Sequence, residues 1–109
     1  MKNKSQKKKT HHGNTSNIEF ELDLLQRHMA LLKAIIENEP IGIIRLSEML
    51  DCPHHKVRYS LRILEQEKLI KPSLEGAVTT ENIDKFLERL SKILGQINKS
   101  VKDIEKTVR

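Results

Sequence analysis

The segment Cys52-Pro53-His54-His55-Lys56-Val57-Arg58-Tyr59-Ser60-Leu61-Arg62 gathers side chains able to recognise a ligand. On a helix, Val57, Leu61 and Leu64 recur at i, i+4 and i+7 and form one inward stripe, which places His55, Arg58, Tyr59 and Arg62 largely on the opposite face. Lys56 sits at the margin of that face. Guanidinium groups near a helix N-terminus bond guanine bidentately in a major groove and also grip phosphate. An ordinary solvated helix face carries such cations too, so the charges alone do not decide between the two. Cys52, His54 and His55 are zinc-donor types, but three donors within four residues do not easily close a tetrahedral site. His11, His12 and His28 are remote in sequence, so neither a metal nor any other cofactor is expected. There is no Gly-rich phosphate loop, no acidic pair in a cleft-like setting and no nucleophile with an evident base. An enzyme is not expected.

The elements around this segment read as mainly helical. Leu and Ile dominate the apolar set, with one Tyr, two Phe and no Trp, which suits helices packed on helices. Ser16-Asn17-Ile18-Glu19 has the form of a capping box. Ile18, Leu22, Leu25, Met29, Leu32 and Ile36 follow at spacings of four and three, so a helix is predicted from Ile18 until Pro40 and Gly42 end it. Ile43 and Ile44 read as a short strand or extended lead-in, and Leu46, Met49 and Leu50 as one face of a brief helix from about Arg45. Asp51-Cys52-Pro53 makes a turn, with Pro53 suited to the first position of the next helix, Pro53 to Glu67. Leu69 to Ser73, Glu75-Gly76 and Ala77 to Thr79 read as strand, tip and return strand of a hairpin. Thr80 can cap a last helix, in which Ile83, Leu87, Leu90, Leu94, Ile97, Val101, Ile104 and Val108 alternate four-three as a heptad seam. Phe86 and Ile93 widen only its first half, which predicts that this half packs on the body. The distal residues need another surface, either a second copy or the first helix.

This order of elements resembles the winged helix-turn-helix of small transcriptional regulators, particularly the single-domain archaeal and bacterial ones. The likeness covers roughly residues 22 to 80, and the long last helix also fits. It implies a winged helix-turn-helix with a short β-hairpin wing and a long coiled-coil-like C-terminal helix. It also implies a homodimeric regulator that binds double-stranded DNA sequence-specifically, with the helix from Pro53 in the major groove. His55, Lys56, Arg58, Tyr59, Arg62 and the wing residue Lys71 would then contact DNA. Leu90, Leu94, Ile97, Val101, Ile104 and Val108 would form the dimer seam. Two departures stand out: Lys68 occupies the position before the wing that is usually Gly, and the wing carries Glu75 at its tip.

Charge divides unevenly along the chain. Five of the twenty Lys and Arg (Lys2, Lys4, Lys7, Lys8 and Lys9) precede Ile18, and none of the fifteen Asp and Glu does; from Ile18 onward the two signs balance. Residues 1–17 are therefore expected to be a disordered cationic tail that adds phosphate affinity without reading bases, or a solubilising leader. Residues 18–80 would form the winged-helix domain and 81–109 the dimerisation helix. The near-neutral body and acidic wing tip fit an alternative, a winged-helix protein-interaction module, and the tail fits another, a non-specific architectural DNA coater. One Cys excludes an internal disulfide, and no apolar run reaches membrane-spanning length, so a cytoplasmic protein without a membrane partner is expected.

Overall fold

The computed structural model describes residues 14–109, with side chains from Asn17 onward. The lysines expected to form the cationic tail lie outside the described residues. Helix α1 (Asn14–Asn38) begins earlier than the capping box suggests, so Ser16 is inside the helix.

Three short elements follow. Ile43 and Ile44 are not extended; they start α2 (Ile43–Leu50). The extended residue is Ile41, which exchanges two backbone hydrogen bonds with Ala77, at 3.2 and 2.8 Å. Asp51 ends α2 in the left-handed region (φ 48°). Its N–H bonds the Glu48 carbonyl, the Cys52 N–H bonds that of Ser47 at 3.0 Å, and the Ser47 hydroxyl donates to the Cys52 carbonyl. This Schellman-type cap builds the tight turn into α3 (His54–Gln66). Pro53 stands just ahead of α3, and its carbonyl accepts the N–H groups of Lys56 and Val57.

The same type of cap ends α3. Lys68 adopts φ 62°, its N–H bonds the Glu65 carbonyl at 2.9 Å, and the Leu69 N–H bonds that of Leu64 at 3.0 Å. Strands β1 (Ile70–Ser73) and β2 (Gly76–Thr79) then pair antiparallel, with Ile70 opposite Thr79 and Ser73 opposite Gly76. Gly76 is at φ 130°, and a Cβ there would run into the backbone of Ile41, 2.6 Å from its carbonyl oxygen. The residue type is dictated by that crossing of chains. At the other end of β2, the Glu39 carboxylate accepts from the Thr79 N–H at 2.7 Å and from its hydroxyl, which ties the end of α1 to the wing.

The core is one cluster in which Leu31, Leu32, Ala34 and Ile35 of α1 meet Leu46, Val57, Leu64, Leu69, Ile70, Ile41 and Ile83. This differs from the predicted α1 stripe. Apart from Leu32 and half-buried Met29, the predicted residues point outward: Ile18 is 58% exposed, Leu22 53%, and Leu25 and Ile36 more than a third. The inward face instead carries Leu31 and Ile35, and half-buried Arg27 and Leu24 continue it toward exposed Phe20, offset around the helix. In α3 the inward stripe is Val57, Ser60 and Leu64, while Leu61 is half-buried.

The last helix, α4 (Ile83–Thr107), starts three residues after Thr80. Ile83 and Phe86 pack on the core, but Leu87 and Ile93 are each 41% exposed, so the predicted docking of the whole first half is corrected to its first turn. Beyond that point Leu90 is half-buried, but no described element, α1 included, packs extensively along α4. The architecture is therefore mainly α, with a two-stranded wing and a long C-terminal helix, as expected of a winged helix. Among the described residues no helix is long and apolar enough to cross a membrane.

Candidate nucleic-acid interface

Helix α3 owes its orientation to the two left-handed caps and to Val57 and Leu64, which are essentially fully buried. With that side inward, His55, Lys56, Arg58, Tyr59 and Arg62 are all exposed. They line one open groove of about 750 Å³, whose far wall is the N-terminal half of α1, contributed by Phe20, Glu21, Leu24 and Arg27. Five of the six residues predicted to contact DNA thus meet in one place. The sixth, Lys71, is exposed on β1 opposite Val78 and lies outside the groove. Glu75 is exposed at the wing tip, as its position in the hairpin predicts.

A polar cluster behind the groove was not foreseen from the sequence. Ser60 is fully buried. The Arg27 Nε–H donates to its Oγ at 3.1 Å, which leaves the hydroxyl hydrogen for His28 Nδ1, 2.8 Å away. The His28 ring lies 6.0 Å from that of Tyr59. Burial, and secondly the charge of Arg27, hold the His28 imidazole below its ordinary pKa. Neutral His28 is the form that accepts from Ser60, so hydrogen bonding and titration agree. The available signal was Ser60 itself, a small polar residue three after Val57 and four before Leu64.

Cys52, His54 and His55 do not converge: among the described residues, no three His, Cys, Asp or Glu side chains gather as metal ligands would. On α4, Leu90 is half-buried, whereas Leu94, Ile97 and Val101 are each nearly half exposed and Ile104 is 61% exposed. Val108, just past the helix end, is exposed as well. The predicted seam is an uncovered apolar stripe on this chain.

No family model matches the chain, and no curated protein matches it. The fold is similar to that of the activation domain of the phage T4 transcription factor MotA, with a TM-score of 0.53 and 18% identity over 67% of this chain and 78% of that one. At that identity the likeness speaks for a shared fold.

Proposed function

We propose that the protein is a transcriptional regulator that binds double-stranded DNA sequence-specifically as a homodimer, with α3 as the major-groove reader. The observation that carries this reading is the convergence of His55, Lys56, Arg58, Tyr59 and Arg62 on the open side of the second helix of a helix-turn-helix. Arg58 lies one turn into α3, where a reading helix meets base edges. Arg62, one turn further, is assigned to phosphate, which positions the helix without reading sequence. The test is a titration of duplex DNA at several salt concentrations, with helicity checked by circular dichroism. Arg58→Ala is expected to cost about 1–3 kcal/mol per half-site and to relax discrimination at one base position. Arg62→Ala is expected to weaken all sequences alike. Undiminished DNA affinity in a folded Arg58→Ala/Arg62→Ala chain would reject the assignment.

A second reading, a protein-interaction module, is favoured by two observations: charge balance from Ile18 onward and an exposed acid at the wing tip. In that case wild-type chain shows no salt-dependent affinity for duplex DNA.

A further inference from the structure

The α1–α3 groove is amphipathic in a way that phosphate and base edges do not use. Phe20 and Leu24 continue the α1 face that carries buried Leu31 and Ile35, but they lie past the end of the core, where Phe20 is 63% exposed and Leu24 half-buried. Across from them, the Tyr59 ring is 40% exposed on α3. Around this apolar surface stand Arg27, Lys56, Arg58 and Arg62, against Glu21 as the one acid among the described lining residues. The groove is an open trough between two helices, the shape that receives a third helix, whereas small-molecule sites enclose most of their ligand.

We propose that this groove docks an amphipathic helix with acidic flanks, supplied by a protein partner. Its apolar side chains, spaced three and four apart, would cover Phe20, Leu24 and Tyr59. Its carboxylates would pair with Arg58 and Arg62 in charge-assisted hydrogen bonds. Charge selects the occupant. The distal part of a second copy's α4 and the two residues after it carry Lys92, Lys99, Lys102, Lys106 and Arg109 against Asp103 and Glu105, so the cationic groove repels it. The five lysines ahead of Ile18 are repelled likewise. A second copy's α1 does offer an acidic amphipathic stripe, Ile18 and Leu22 flanked by Glu19 and Glu21. Stripe and groove face opposite ways on α1, however, so that contact is head-to-tail and builds rings or open chains instead of a two-fold dimer.

The probe is a labelled synthetic helix of about sixteen residues with Leu at three-four spacing and Glu between, titrated with the full chain. One twin replaces every Glu with Lys, and another replaces every Leu with Ser. The acidic amphipathic peptide is expected to bind saturably, at least about tenfold tighter than either twin. Phe20→Ser, at an exposed position, and Leu24→Ser, at a half-buried one, should each weaken it about tenfold with circular dichroism unchanged, while Leu74→Ser at the wing tip leaves it intact. Equal binding of the twins, or indifference to Leu24→Ser, would overturn the proposal. Head-to-tail self-association abolished by Leu24→Ser would overturn it too, by giving the groove to a second copy. The peptide should also displace duplex DNA, because the two share Arg58 and Arg62. That arm alone rests on the DNA reading, and a chain that binds no duplex fails that reading and not this one.

Discussion

At the scale of single residues, Ser60 shows how the position of α3 can be fixed by one hydroxyl. A buried hydroxyl without partners costs about 1–3 kcal/mol, so Ser60 is tolerable only because α1 supplies both a donor and an acceptor. Those partners also tie the helix to pH. The groups facing His28 are Arg27 on its own helix and Ser60 and Tyr59 on α3, and none is an acid that would favour the imidazolium. Since its folded pKa is depressed, the unfolded chain takes up this proton first as pH falls. The His28 contribution to stability is present above about pH 6.5, the ordinary histidine value, and is lost as pH falls from there through the folded pKa. Wild type should thus lose more stability than His28→Gln between about pH 7.5 and about pH 5.5, by denaturant midpoints at fixed protein concentration. Gln retains an acceptor for Ser60 but does not titrate. Parallel pH profiles for the two chains would remove His28 from the account.

Among the elements, the end of α3 decides how the wing leaves that helix. Lys68 occupies the left-handed position at which glycine is usual, and the chain compensates around it. Its carbonyl accepts the Thr80 hydroxyl at 2.6 Å and the Asn82 side-chain amide at 2.9 Å, while Leu64 and Leu69 close the apolar contact of the cap. Thr80 therefore acts ahead of α4, where its Oγ also accepts the Asn82 N–H, instead of capping the helix directly. Lys68→Gly preserves every one of these bonds and removes the strain, so it should stabilise the chain by up to about 1 kcal/mol in denaturant unfolding. A destabilised Lys68→Gly chain would mean that the lysine side chain has a role beyond its backbone angle. The position of this turn was legible because turn residues and strand alternation are local signals. The α3 face was legible for the same reason, since Val57 and Leu64 suffice to orient it. The α1 face was not. That helix carries two apolar stripes, and the heptad-spaced one is the more regular, so periodicity favoured Ile18, Leu22 and Leu25 over Phe20, Leu24 and Leu31. Only tertiary packing distinguishes a stripe that meets the protomer's own core from one that does not. The groove was hidden with it, because it needs the true inner face of α1.

For the whole molecule, those two unsatisfied stripes are the central fact. The chain leaves the outer face of α1 and, apart from half-buried Leu90, the seam of α4 in water from Leu87 to Val108. A helix of 25 residues is about 37 Å long, and the core covers only its first turn. Apolar surface of that extent, in strict four-three order, is the pattern by which helices pair with a second chain. The expected assembly is a homodimer built on α4, with the α1 outer stripe able to join it as a bundle. A two-fold dimer would carry two copies of α3, as a two-fold DNA site requires, which links this surface to the proposed function. Ile97→Asp and Ile104→Asp each force a carboxylate into an apolar layer and should each yield monomer in sedimentation. Both positions are nearly half exposed or more on the isolated chain, so the monomer should keep its helicity and its unfolding should lose concentration dependence. Leu22→Asp separates the two arrangements: it should weaken the dimer if α1 joins the bundle and leave it intact if α4 pairs alone. A wild-type chain that sediments as a monomer at micromolar concentration would sink both, and leave α4 as a surface for a different protein.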